Sequence, residues 1–433
     1  MNYAAYHSMD ELWLTSIPEH WDKRKIKYTF SERVEKGYPD EPLLVASQKM
    51  GVVPKGVYGN RTVEATKDFH NLKLVRVGDF VISLRSFQGG LEYAYYQGII
   101  SPAYTVMIPT KLISSGYFSF LAKSKLFVEL LQMCVTGIRE GQNIDYGKLK
   151  NHLIPLPPRD EQDQIVRYLN WKVSQINKLI NVKRRQIELL REQKQAIVNE
   201  AVTKGEDGWN NCRLKDICQL KTGGTPKNNE GINMDNNGQN WVTPSDFNAS
   251  NIITDAQKSI ANAIVQRDGV KLFPKGSILF IGIGGTTGKF ALLNCKAYSN
   301  QQITAIIPTA INSKFLLYVL MNKSDSIKET ANYATLPIVN NTQLGKVEIT
   351  FPSCDKQQSI VVYLDQQCGF IDKIVDKFNA EITLFTEYRT RLISDVVTGK
   401  LDILGVVVPE YEAMEDASIK DDMEAMECAE DLE

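Results

Sequence analysis

The sequence predicts an α+β protein made by tandem duplication. A globular α/β part is followed by a long helix, the pair then recurs, and the two helices pair with each other as a coiled coil. Three observations predict this. First, Asp160-Glu161-Gln162 through Gln164-Ile165-Val166-Arg167-Tyr168-Leu169 returns 195 residues later as Asp355-Lys356-Gln357 through Ser359-Ile360-Val361-Val362-Tyr363-Leu364. The same offset, without a gap, sets Ile176 on Ile371, Ile187 on Ile382, and Val202-Thr203 on Val397-Thr398. Second, both copies carry an apolar stripe whose steps alternate four and three, the spacing of a coiled-coil seam. It runs through Leu169, Ile176, Ile180 and Ile187 in one copy and through Leu364, Ile371, Val375 and Ile382 in the other. A cation interrupts both at the same place, Lys194 and Arg389. Third, the chain before each helix alternates short strand patterns with Gly-punctuated turns.

In order, residues 1–20 form a short lead-in. Residues 21–153 form the first globular part, in which Leu43–Ala46, Leu72–Val77 and Phe80–Leu84 read as strands, Gly78-Asp79 as a turn, and Tyr117–Met133 as one helix. Residues 154–205 form the first long helix, with Pro157-Pro158 just before it, where proline punctuates but does not continue a helix. At 1.5 Å per residue, such a helix is roughly 65 Å long. Its apolar stripe needs a partner, and the other copy supplies one. Residues 206–350 repeat the globular part, with Gly276 in the place of Gly78 and Trp209 in that of Trp21. Residues 351–403 repeat the helix, and 404–433 read as an acidic, disordered tail. The period is far longer than that of a solenoid repeat.

The whole chain is near neutral, at −1, but unevenly so. From Pro409 to the end there are eleven Asp/Glu and one Lys, a net of −10, which leaves +9 on the rest. A solvated acidic end and a mildly basic body follow, the latter compatible with nucleic acid. No run of eighteen apolar residues predicts a membrane span, and Met1–Trp21 lacks the pattern of a signal peptide. Seven scattered cysteines read as reduced thiols, so a cytoplasmic location is expected.

Catalytic signatures fail one by one. Gly282-Ile283-Gly284-Gly285-Thr286-Thr287-Gly288-Lys289-Phe290 lacks the first glycine and the final Ser/Thr of a phosphate loop, and reads as a glycine-rich turn. Four histidines share no metal-ligand spacing, and no C-x-x-C occurs. Leu156-Pro157-Pro158-Arg159 lacks both flanks of an adenine methyltransferase motif. A non-enzymatic binder without metal or cofactor is what remains. Its candidate DNA-reading residues lie in equivalent loops: Ser47, Gln48, Arg61, Arg85, Ser86 and Gln88 in the first part, and Thr225, Lys227, Thr286, Thr287, Lys289 and Gln301 in the second. Arg and Lys suit phosphates and the guanine edge, Gln and Asn the adenine edge, and Ser/Thr either. Asn300 and Gln302 flank the last of these.

The chain resembles the specificity subunits of type I restriction-modification systems over residues 20–403. The resemblance rests on the Pro-x-x-x-Glu-Gln-x-x-Ile helix start (Pro157, Glu161, Gln162, Ile165; then Pro352, Gln357, Ile360, with Lys356 departing). It rests also on Thr222-Gly223-Gly224-Thr225-Pro226 and on the duplicated Gly-Asp/Ser turn. It implies two target recognition domains joined by conserved spacer helices that pair as an antiparallel coiled coil, with residues 1–20 packing near the end of the second helix, and each domain reading half of a bipartite, asymmetric double-stranded DNA site. It implies two methyltransferase subunits as partners, using S-adenosylmethionine for adenine N6 methylation, together with motor-nuclease subunits. The residues alone leave a second reading open, a coiled-coil scaffold whose globular parts bind proteins. Salt separates the two, because phosphate contacts release counterions.

Overall fold

The computed structural model describes residues 2–48, 50–58, 68–83, 90–136, 143–203, 208–226, 232–233, 238–247, 251–268, 270–333 and 336–411. The first globular part runs β1 (Asp22–Lys25), β2 (Phe30–Arg33), β3 (Phe80–Ile82), β4 (Leu91–Tyr93), β5 (Thr105–Pro109), α1 (Ser115–Ala122), α2 (Lys125–Met133) and β6 (Leu153–Leu156). Next comes the 45-residue helix α3 (Arg159–Thr203). The second part repeats the plan as β7 (Asn210–Arg213), β8 (Cys218–Thr222), β9 (Ile278–Ile281), β10 (Phe290–Leu293), β11 (Ile303–Pro308), α4 (Ser313–Asn322), α5 (Ser324–Glu329) and β12 (Glu348–Phe351). The 44-residue helix α6 (Cys354–Val397) follows.

The two sheets share one connectivity. In the first part the strand order is β2-β5-β3-β4, all antiparallel. In the second it is β8-β11-β9-β10, again antiparallel, with Ile252–Ile253 added in parallel at the far edge. The strand that opens each part pairs with the one that closes it, β1 with β6 and β7 with β12. Each globular part is thereby closed on itself before its long helix begins. Gly78 and Gly276 both take positive φ, +92° and +88°, at the matching turn before β3 and β9, a conformation glycine adopts without steric cost.

Compact packing divides the chain into Met1–Arg184 with Asn379–Glu433, and Arg185–Phe378. The cut falls inside both long helices, because each core takes in one stretch of each. In the first unit Leu169, Ile176 and Ile180 of α3 share a core with Leu392, Val396 and Val397 of α6. In the second, Val198 and Val202 of α3 share a core with Ile360, Leu364 and Cys368 of α6. The helices therefore run antiparallel. Asn177 accepts from Arg389, Lys183 meets Glu381 at 2.8 Å, and Lys194 meets Asp372 at 2.6 Å, one number falling as the other rises. The cations that interrupt the seam are thus bonded across it: the 195-residue offset puts Arg389 on Lys194 and Asp372 on Asn177. Along the seam Leu169, Ile176, Ile180, Ile187, Leu364 and Ile371 are buried, whereas Val375 and Ile382 are only half-buried.

Some expected elements differ. The single helix over Tyr117–Met133 is two, because Ser124 accepts from the Phe127 N–H and caps a new helix. The strand expected over Leu72–Val77 spans only Lys73–Val75, since the Asp79 carboxylate takes the Arg76 N–H (2.8 Å) and turns the chain. The strand expected over Leu43–Ala46 is Leu44–Ser47. Some of the residues expected to be tail are packed in the first unit. Ile403 is buried, Val406 and Val408 pack on the first core, and Gln164 Nε2 donates to the Val406 carbonyl (2.8 Å). Most of the acidic tail, 412–433, lies outside the described residues. The lead-in meets the start of α3 and the chain just past α6: Tyr6 donates to the Gly399 carbonyl (3.1 Å), and Tyr3 (2.5 Å) and His20 (2.8 Å) meet the Glu161 carboxylate.

Candidate nucleic-acid interface

Each globular part is fixed to its long helix by the same buried glutamine. Gln162 Oε1 accepts from the Ser114 N–H (2.7 Å), and its Nε2 donates to the carbonyls of Pro157 (2.9 Å) and Leu112 (3.0 Å). Gln357 Oε1 accepts from the Asn312 N–H (2.8 Å), and its Nε2 donates to the Pro352 carbonyl (2.8 Å). Ser114 and Asn312 are the N-cap residues of α1 and α4. A side-chain amide offers an acceptor and a donor at once, so one residue ties the helix start to both the preceding proline loop and the next helix cap.

In the second part several loops converge at one end of the sheet. The Gly223 N–H donates to the Ile303 carbonyl (3.0 Å), the Gly224 N–H to Ser299 (3.0 Å), and the Gly282 N–H to Gln302 (2.8 Å). The Thr225 hydroxyl bonds to the Gln301 side chain. Beneath them, Asn341 joins Thr222 (2.9 Å) and Thr304 (2.9 Å). A Cβ on Gly223 would lie 2.3 Å from the Asn300 carbonyl, so only glycine admits this approach. Asn300 Nδ2 donates to Gln302 Oε1 (2.9 Å), which presents an ordered edge of amides beside Gln301.

The glycine-rich segment is the hairpin turn between β9 and β10. Thr287 is its anchor: its hydroxyl is buried and donates to the Gly284 carbonyl at 2.7 Å. Thr286 and Lys289, on either side, are exposed. The Thr287 hydroxyl is thereby held inside the turn rather than on its surface. Ser47 is likewise buried, its hydroxyl accepting from the Met50 N–H at 3.3 Å, and it supports the turn that holds exposed Gln48. The structure thus brings Thr225 and Gln301 together and places Thr286 and Lys289 on one turn. Arg61, Arg85, Ser86, Gln88 and Lys227 lie outside the described residues. Sequence reasoning missed Asn341, although it follows the polar link Leu336–Asn340 that recurs in both halves.

In the first part the Gly78-Asp79 turn holds a different network. Arg33 is buried and donates to both Asp79 oxygens (2.8 and 3.1 Å) and to Glu35 (2.6 Å). The Asp79 carboxylate pushes the guanidinium pKa up. This arginine is fully committed to the fold. Ser277 replaces Asp79 in the second part and donates to the Pro274 carbonyl (2.7 Å). Buried Glu92, held by both oxygens on Lys123 (2.7 and 2.8 Å), has its carboxyl pKa raised by burial against the lowering effect of the lysine. Among the described residues no group of His, Cys, Asp and Glu could hold a metal ion, and no helix is long and apolar enough to cross a membrane.

Residues 206–384 match the family model of the type I restriction modification DNA specificity domain. Across 93% of the chain, and 98% of the relative, the sequence is 20% identical to the type I restriction enzyme MjaVIII specificity subunit of Methanocaldococcus jannaschii. The chain is thus similar over nearly its whole length to a type I specificity subunit. Another such subunit of that organism, MjaIX, is 30% identical over 39% of this chain, a match that spans 39% of its own length. Among solved structures, one from work on complex assembly and conformational transition of the type I R-M system has a TM-score of 0.71 at 17% identity, covering 89% of this chain and 99% of its own. The HsdS subunit of Thermoanaerobacter tengcongensis has a TM-score of 0.50 at 16% identity, covering 89% and 98%. These two show a shared fold. A specificity subunit is the recognition component of its system, not the catalyst.

Proposed function

We propose that this chain reads a bipartite, asymmetric DNA target, one half-site per recognition domain, for adenine N6 methylation by two partner methyltransferase subunits that use S-adenosylmethionine. Motor-nuclease subunits join the same complex for restriction, and the paired helices set the unread gap. One observation carries the reading: a single scaffold, closed in the same way and fixed by the same buried glutamine, is used twice beneath dissimilar surfaces. Equal scaffolds offer equal docking surfaces to two copies of a partner, whereas unequal loops read unequal half-sites, so the target is not a palindrome. The adenine would be flipped out by the partner.

The test is co-expression with the methyltransferase partner in a methylation-free host, followed by genome-wide mapping of methylated adenines. The expected result is one asymmetric motif in two parts with a fixed gap. A contiguous or palindromic motif would refute the two-reader reading.

A further inference from the structure

Thr222 and Thr304 face each other where β8 ends and β11 begins. With Asn341 they close a ring of side chains. The Thr304 hydroxyl donates to Asn341 Oδ1 (2.9 Å), Asn341 Nδ2 donates to the Thr222 hydroxyl (2.9 Å), and the two hydroxyls lie 3.1 Å apart. Each member can give one hydrogen and take one, so each bond polarises the next.

The shared scaffold does not require this ring. Lys221 pairs with Ala305, and Ala305 with Leu279, as Arg33 pairs with Val106 and Val106 with Val81. The first part therefore carries Val34 and Thr105 in the places of Thr222 and Thr304. Asn341 opens a short helix, Asn341–Gly345, capped by Asn340; the 195-residue offset puts Tyr146 in its place, opening Tyr146–Leu149 under the cap of Asp145. Val34 has no hydrogen-bonding side-chain group, so the first part cannot form the ring. The ring belongs to what differs between the two surfaces.

Three segments meet at the ring. Just after Thr222, the Gly223 and Gly224 N–H groups donate to the carbonyls of Ile303 and Ser299 (3.0 Å each), which brings Thr225 to Gln301. Just before Asn341, the Val339 N–H donates to the Gly282 carbonyl (2.9 Å) and the Pro337 carbonyl accepts from the Gly284 N–H (3.2 Å), which holds the turn carrying Thr286 and Lys289. We propose that Asn341 is a positioning residue for base reading by the second domain: through Thr222 and Thr304 it fixes the Thr225–Gln301 pair relative to the Thr286–Lys289 turn. The role rests on DNA reading by this domain. Hydrogen-bond readout of a base edge depends on where donors and acceptors stand, so a loosened pair of loops discriminates less.

The test maps adenine methylation by the complex of full chain and methyltransferase partner in the methylation-free host, scored at every near-match to the motif. Asn341→Ala is expected to weaken discrimination about tenfold at one or more positions of the second half-site, with the first half-site and the gap unchanged. Thr222→Val keeps the branched shape, removes the hydroxyl, and is expected to give the same relaxation; it decides the matter where Asn341→Ala does not fold. The double variant should be no looser than either single one, because both break one ring. An unchanged motif, with or without less methylation overall, overturns the positioning role. So does loosening of both half-sites alike, or additive loosening in the double variant. A parent complex that gives no two-part motif refutes the DNA-reading proposal itself, and the positioning role falls with it.

Discussion

Replacing Gln162 by methionine keeps the volume of the side chain and removes all of its hydrogen bonds. The residue has no solvent exposure. The Ser114 N–H loses its acceptor at 2.7 Å, and the carbonyls of Pro157 and Leu112 lose a donor. One buried unsatisfied donor costs about 1–3 kcal/mol, and the two carbonyls add a smaller share, so about 3 kcal/mol is expected. Gln357→Met breaks one bond fewer among those found, and about 2 kcal/mol is expected. Two compact units make a single unfolding free energy ill-defined, so amide hydrogen exchange is the assay. In Gln162→Met the amides around Ser114 should exchange roughly 100-fold faster, while those around Asn312 stay protected. Gln357→Met should do the reverse. If the Ser114 region exchanges as in the parent, or both regions respond equally to either change, the glutamine is not the tie described.

Lys123→Met leaves Glu92 buried without that cation. Because Lys123 is partly exposed, the cost is about 2 kcal/mol rather than the full value for a buried pair. Burial already raises the Glu92 pKa, and losing the lysine raises it further. The folded state then holds the proton more tightly than the unfolded one, so the variant is near parental in acid and loses stability as pH rises through the raised pKa; urea melts across pH check this. Gln301→Ala and Lys289→Ala should change the half-site read by the second domain and leave the other intact in methylation maps; a change in both halves counts against the placement. Ile371→Asp puts an unpaired charge in the seam and should cost about 3 kcal/mol or more, seen as lost protection along α6 in the second unit.

The sequence by itself determined the duplication and the two long helices with their apolar seams, because an unbroken offset and a heptad stripe are local, periodic signals; that the helices run antiparallel is shown by the contacts across the seam. It also marked Gln162 and Gln357 as equivalent, and Gly78 and Gly276 as turn positions. Tertiary structure decided which of the polar loop residues are on the surface. Thr286 and Thr287 are adjacent and chemically identical, yet the turn buries one as an anchor and exposes the other. Only folding brings Thr225 to Gln301, or Arg33 to Asp79, across long stretches of chain. Burial and hydrogen bonding depend on what the rest of the chain delivers to a position, and a repeat in sequence does not repeat its neighbours.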